Sequence, residues 1–250
     1  VCIDEAGQCH DALAWLLAGL APSFILAGDI HQLPPTYLAN ENMRNPNASS
    51  ILHNLQQHLN SVHFLDTQYR MQPVIAGFSN AYFYDNKLKH AKANNAEPAM
   101  LFFDTAGTGF EETQQEDSGS KWNQGEAECI EKIVQHPDFE SSNWVLISPY
   151  QGQVAHLKSL LGDGIRISTI DSFQGQEADG VIISLVRSNA QQEIGFLRDY
   201  RRLNVALTRA QNRLIVVGDS ATIGADEFYA KFLDYCESNN CYRSAFELLS

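Results

Sequence analysis

Short runs of apolar, often β-branched residues recur along the chain and stop abruptly at polar ones, at 1–3, 24–27, 100–103, 144–147, 165–170, 181–186 and 214–217. Between them, apolar positions repeat every three to four residues at 12–20, 51–59, 74–84, 126–135, 153–161, 200–208 and 227–236. Nearly continuous apolar strands alternating with amphipathic helices predict an α/β fold, with a parallel sheet covered on both faces. The longest apolar stretch, 12–28, is broken by Pro22 and Ser23. A membrane-spanning helix needs about 20 unbroken residues, so this stretch reads as helix, turn and buried strand, and no membrane contact is expected. Polar loops are expected at 46–50 and 91–98, and no internal repeat is present.

Composition narrows the picture. The chain has 250 residues, 44% of them hydrophobic, enough for one or two domains without covalent staples. Thirty acidic residues against seventeen basic ones leave a net charge of −13. Such a surface repels nucleic acid unless its cations are clustered. Residues 187–213 offer such a cluster, six arginines against Glu193 and Asp199. Residues 104–140 carry ten carboxylates and two lysines and read as a solvated acidic loop leading into a helix. The five cysteines form no C-x-x-C pair and no Cys/His ladder, which predicts reduced thiols in a cytoplasmic or nuclear protein. The chain opens on Val, already inside a strand pattern, and is expected to be a piece of a longer protein.

Several polar residues follow directly on predicted strands. At the carboxyl end of a parallel strand, Asp4 can hold magnesium through a hard oxygen and Glu5 can take a proton from water. Capping of the next helix is the competing role. Asp29 ends the second strand in the same way, and Pro34 and Pro35 would fix the exit of a loop carrying Gln32, unless that loop is only a turn. Arg202 and Arg209 stand seven residues apart and are expected on one helical face; a solvated basic face is the alternative. Glu177 follows a glycine-containing turn, and a plain N-cap or first-turn carboxylate is its competing role.

The segments I-D-E-A-G-Q (3–8), G-D-I-H-Q-L-P-P (28–35), Q-Y-R-M-Q-P (68–73), S-P-Y-x-x-Q (148–153), T-x-D-S-F-Q-G-Q-E (169–177) and R-R-L-N-V-A-L-T-R-A (201–210) stand in this order. Together they resemble motifs II and III, the Q-Y-R-M-H-P signature, and motifs IV, V and VI of superfamily 1 helicases of the nonsense-mediated-decay and senataxin-like branch. Gln72 replaces the usual His, and Gln176 the usual Arg. The resemblance implies a RecA-like (P-loop NTPase) parallel sheet flanked by helices. Residues 1–65 would be the C-terminal part of a first RecA-like domain, and 66–250 a complete second one. It implies an ATP-dependent helicase or translocase on single-stranded RNA or DNA, of 5′→3′ polarity, with ATP and Mg2+ as cofactors.

Carried over residue by residue, Asp4 is the metal ligand and Glu5 the base that activates water. Gln32 senses the γ-phosphate, and Arg70 and Arg209 reach it from the second domain, with Arg202 beside them. Tyr69 stacks on adenine and Glu177 lies near the ribose. Ser148, Pro149, Thr169 and Ser188 correspond to positions that face the strand backbone, which hydroxyl and main-chain N–H donors hold without reading sequence. The chain contains no G-x-x-x-x-G-K-[ST] loop, which in the family precedes motif II. The missing upstream half of the first RecA-like domain would explain that gap, would leave this chain inactive alone, and would expose an apolar edge in residues 1–65. A catalytically silent module that binds nucleic acid or protein is the alternative function. Other phosphoryl transfer, such as kinase chemistry, leaves the two arginines and motif V without a purpose.

Overall fold

A computed structural model of the chain describes residues 1–20, 22–35, 50–56, 62–93, 98–115, 119–136, 139 and 143–249. They divide into two units, Val1–Leu65 and Asp66–Ser250. Residues 46–49 and 94–97 of the expected polar loops, and 57–59 of the expected second helix, lie outside the described residues.

In the first unit, β1 (Cys2–Ile3) pairs in parallel with β2 (Ile25–Leu26). Helix α1 (Asp11–Ala18) lies between them in sequence and α2 (Ile51–Gln56) follows. Ile3, Ala6, Ala14 and Ile51 form a small core, with Leu17, Leu26, Leu52 and Leu55 packed against it. Leu13, Trp15, Leu16, Leu20 and Ile25 are exposed.

The second unit begins with β3 (Thr67–Gln68), α3 (Pro73–Phe83) and β4 (Lys89–His90), β3 and β4 pairing in parallel. Then come β5 (Met100–Asp104), a β6–β7 hairpin (Thr113–Gln114, Lys121–Trp122) and α4 (Gln124–Gln135). Next are β8 (Trp144–Ser148), α5 (Gln151–Leu161), β9 (Arg166–Thr169) and the single-turn α6 (Ile170–Phe173). After β10 (Ala178–Ser184) follow α7 (Tyr200–Leu207), β11 (Ala210–Gly218) and α8 (Ser220–Ile223). The chain closes with α9 (Glu227–Ser238), β12 (Tyr242–Ser244) and α10 (Phe246–Leu249).

Six of these strands form one sheet in the order β12-β5-β11-β10-β8-β9, every neighbouring pair parallel. Alternate side chains serve opposite faces. Phe103, Leu146, Ile182 and Val217 join Ile130, Ile133, Val154 and Leu157 of α4 and α5. Phe102 instead meets Phe232, which packs edge-on with Phe78. Both faces are therefore closed, and the near-continuous apolar strands have the physical cause that the pattern suggested.

The order also fixes where a ligand crevice opens. From β8 the chain leaves through α5 to β9 on one side, whereas from β10 it leaves through α7 to β11 on the other. Connections that depart in opposite directions leave a crevice at the carboxyl ends of β8 and β10.

One expectation is overturned here. The helix expected after the acidic loop is present as α4, but among the described residues the loop itself holds the β6–β7 pair, and Glu126, at the start of the helix, is fully buried rather than on a solvated face. Glu112 is nearly so, its side chain 8% exposed.

Candidate functional site

In the first unit the two acidic segments meet backbone to backbone. Ala6 N–H donates to the Ala27 carbonyl at 2.7 Å. A Cβ on Gly28 would stand 2.7 Å from Gly7 N, and one on Gly7 would stand 2.6 Å from the Asp29 oxygen. Only glycine permits that approach, and it sets Asp4–Gln8 beside Gly28–Gln32. Asp4 is exposed, and its Oδ1 accepts the Glu5 N–H at 2.9 Å. Glu5 sits at φ 51, a left-handed conformation costly for a residue with a side chain. Its Oε2 accepts from Gln8 Nε2 at 3.2 Å, while Gln32 Nε2 donates to Asp29 Oδ2 at 3.1 Å. Neither acid caps a helix through its side chain: Glu5 makes no cap bond to the short helix it precedes. Among the described residues no three His, Cys, Asp or Glu side chains could hold a metal together. An exposed Asp4 fits magnesium, which keeps most of its waters and takes one or two carboxylates plus phosphate.

A second cluster lies at the amino edge of the large sheet. Gln68 closes the loop after β3 with its own amide: Oε1 accepts from Met71 N–H at 2.8 Å, and Nε2 donates to the Met71 carbonyl at 2.9 Å. That clamp presents Tyr69, 74% exposed, and Arg70. Arg70 Nε donates to Glu177 Oε2 at 2.5 Å and Nη1 to the Thr208 carbonyl at 3.0 Å. Glu177 Oε1 accepts from Gln211 Nε2 at 2.6 Å. The hydrogen bond from Arg70 holds the Glu177 carboxyl below the usual carboxylate range. Arg209, 2% exposed, donates from Nε to the Val205 carbonyl at 3.0 Å and from Nη1 to the Gln176 carbonyl at 3.1 Å. Gln72, where the family signature has His, is buried and donates to the Asn212 carbonyl at 3.1 Å.

The expected shared face of Arg202 and Arg209 does not exist. Helix α7 ends at Leu207, and Thr208 turns its hydroxyl back onto the Asn204 and Val205 carbonyls. Arg202 instead pairs with Asp171 and Asp199, both at 3.3 Å.

The nucleic-acid candidates stand at the opposite, carboxyl edge. Ser148 ends β8 and is fully buried, followed by Pro149. Thr169 ends β9, and its Oγ1 caps α6 by accepting from Ser172 N–H at 3.3 Å. Ser188 follows β10, and its hydroxyl donates to Asp219 at 2.9 Å. All three side chains face inward rather than standing as free hydroxyls.

Sequence reasoning missed a buried polar network at this edge. Asn123 caps α4 by accepting from Glu126 N–H at 3.0 Å. The N-x-x-E spacing was the available signal, because it reads as a capping box. Yet Gln153, not Glu126, takes the Asn123 N–H, at 2.8 Å. The Glu126 Oε2 accepts from Ser184 Oγ at 2.6 Å and from Val186 N–H at 2.9 Å, while Oε1 has no partner. Complete burial pushes the Glu126 carboxyl up to about 8. Val186 sits at φ 72, a costly conformation for a β-branched residue, pinned by Glu126 and by Asn123 Nδ2 on its carbonyl. The turn sends Arg187 inward to Glu112 at 2.7 Å, and Glu112 also takes Lys121 at 2.7 Å. Burial works against the Glu112 charge, but its bonds from Arg187 and Lys121 outweigh that and keep it below the usual carboxylate range.

The six arginines of 187–213 consequently make no open basic patch. Arg187 and Arg209 are buried, and Arg201 and Arg202 face Asp199 and Asp171. Arg198 and Arg213 remain exposed.

Residues 47–221 match the family model of an AAA domain. The chain belongs to that family, among the superfamily 1 helicases of the nonsense-mediated-decay and senataxin type. This helicase-family chain is 34% identical to "DNA polymerase alpha-associated DNA helicase A" of Saccharomyces cerevisiae, over 95% of its own length and 41% of the relative's. It is 33% identical to "DNA-binding protein SMUBP-2" of Mesocricetus auratus, over all of its length and 28% of the relative's. With "Helicase sen1" of Schizosaccharomyces pombe it shares 34% identity over 94% of its length and 15% of the relative's. The chain thus spans well under half of each of these relatives. A solved arterivirus nonstructural protein 10 (helicase) with DNA aligns over 92% of the chain and 41% of its own, at TM-score 0.48 and 17% identity.

Proposed function

We propose that this chain is the motif II to motif VI portion of an ATP-driven helicase or translocase acting on single-stranded nucleic acid inside the cell. The observation that carries the reading is the cluster at the amino edge of the large sheet, where Arg70, Glu177 and Arg209, from three separate segments, are held together by directed hydrogen bonds. A scaffold would have no use for that arrangement. Arg70 keeps Nη2 without a protein acceptor among the described residues, so it retains donors for phosphate. In this reading Asp4 holds magnesium, Glu5 takes the proton of the attacking water, and Gln32 reports loss of the γ-phosphate. Arg70 and Arg209 neutralise charge on the transferring group, and Tyr69 offers its exposed ring to the adenine. Bound Mg2+ supplies charge neutralisation on the phosphates, and the chain's own residues supply position. Arg202 acts through its contact with Asp171, in the segment that also carries Glu177. Names among the relatives include both DNA helicase and DNA-binding protein, which supports nucleic acid as the substrate class.

The test uses a protein extended upstream to include a glycine-rich lysine loop. Its ATPase is expected to rise with single-stranded RNA or DNA, and Arg209→Ala is expected to lower turnover about 10³- to 10⁵-fold. An ATPase indifferent to both would sink the proposal. The 250-residue chain alone, which lacks that loop, is expected to show no turnover, and measurable hydrolysis by it would refute that part separately.

A further inference from the structure

We infer that Phe196 is a base-stacking platform for single-stranded nucleic acid at the crevice between β8 and β10. The inference rests on the nucleic-acid part of the reading above and names a residue that the motif resemblance does not supply.

Phe196 lies in a short 3-10 turn, Gly195–Arg198, and is 61% exposed. Its neighbours are anchored: Ile194 and Leu197 are each 3% exposed, and the Leu197 carbonyl accepts from the Tyr229 hydroxyl at 3.1 Å. Gly195 sits at φ +53, and a Cβ there would strike Arg187 Nη1. The turn is thus pressed onto the buried Arg187–Glu112 pair. The outward ring is not a loose loop side chain but a feature the surrounding fold holds in place.

Its inner face is already occupied. Phe196 lies on Tyr150 with ring centroids 5.5 Å apart and planes 29° from parallel. Tyr150 is buried and immediately follows Ser148 and Pro149 at the end of β8. It also receives Arg187 Nη1 at 3.5 Å, from the segment after β10. Phe196 therefore stands over both loops of the switch-point crevice, where an open α/β sheet takes its ligand.

The surroundings choose the occupant. A protein partner needs a contiguous apolar area, but among the described residues the large exposed hydrophobics include no other residue between Tyr82 and Phe246. The exposed residues around the ring in sequence are polar: Gln191, Gln192, Glu193 and Arg198. Arg198 has no carboxylate partner among the described ion pairs. One rigid ring with a cation nearby suits a planar base and its phosphate. With the hydroxyls of Ser148, Thr169 and Ser188 turned inward, the exposed Phe196 ring is an outward-facing group at this edge that can grip a base.

The test measures anisotropy of fluorescein-labelled single strands with the 250-residue chain at low salt. The probes are oligo-dT, oligo-rU and an abasic deoxyribose-phosphate strand of equal length. Wild type is expected to prefer base-bearing strands over the abasic one. Phe196→Ala is expected to lose that preference and to weaken oligo-dT binding about 5- to 150-fold, while its abasic binding stays unchanged. Phe196→Trp is expected to keep the affinity, its added indole emission quenched on binding. If wild type binds but Phe196→Ala keeps the full preference for bases, the platform is wrong while the nucleic-acid reading stands. If wild type binds no strand, both fall. Equal weakening on all three probes would mark a structural role and also overturn the inference.

Discussion

Glu126→Gln measures what a buried carboxyl costs this fold. In the folded chain burial keeps the proton on Glu126 up to about 8, with the nearby Asp219 charge adding to the effect, whereas the unperturbed group ionises near 4.5. Between those values the folded state holds one more proton than the unfolded state, so stability falls as pH rises through the window. The slope is about 1.4 kcal/mol per pH unit, and the whole window is worth roughly 5 kcal/mol. The bonds from Ser184 and Val186 offset part of the burial, and the partnerless Oε1 leaves little room for a charged form. Glutamine cannot ionise, so the difference between wild type and variant separates this residue from every other titrating group. Urea unfolding of both proteins, followed by intrinsic fluorescence, gives the comparison. Wild type is expected to lose about 2 kcal/mol relative to the variant between about pH 5.5 and about pH 7, with unchanged m-values. Parallel stability curves across that range would refute a neutral Glu126.

Three further outcomes follow from particular contacts. Arg187→Met leaves the nearly buried Glu112 with Lys121 as its one cation among the described residues, beside the neutral donors of Ser188 and Asn189, and is expected to cost about 3–5 kcal/mol in denaturant unfolding, part of it recovered by adding Glu112→Gln; a loss near zero contradicts the pairing. Gly28→Ala drives a Cβ onto Gly7 N and Ala6 N, so amide exchange in residues 1–65 should quicken, with about 1–3 kcal/mol lost, while the β10–β11 amides stay protected. Iodoacetamide should label exposed Cys2 quickly and buried Cys129, Cys236 and Cys241 only in denaturant. Burial pushes the Cys129 thiol up to about 12, and mass spectrometry after a short pulse reads the pattern.

What the residue pattern could carry was set by distance along the chain. The strands at 144–147, 181–186 and 214–217 were legible because each is apolar on both faces. Helices such as α5 and α9 were legible because one stripe must meet those faces. β12 was not. Its three residues, Tyr242–Ser244, are half-buried and carry no alternation, and they become a strand only by pairing with β5. The helix carrying Arg202 was extended too far for a similar reason. Periodicity runs on through Thr208, but the helix ends at Leu207 and Arg209 reaches the Gln176 carbonyl, a partner 33 residues away that no local pattern announces. Charge counting failed more fully, because a formal charge says nothing about its partner. Glu112 and Arg187 lie 75 residues apart and neutralise each other inside the unit, so neither belongs to the charged surface that counting assigned to it. The motif residues divide across the large sheet for a topological reason. Strands β9, β10 and β11 run parallel, so a segment that leaves the carboxyl end of β9 at Thr169 must cross to the amino edge before β10 begins. Thr169 and Glu177, eight residues apart in one motif, therefore stand at opposite edges of the sheet, and any coupling of nucleotide to strand within this unit has that short crossing as its most direct covalent path.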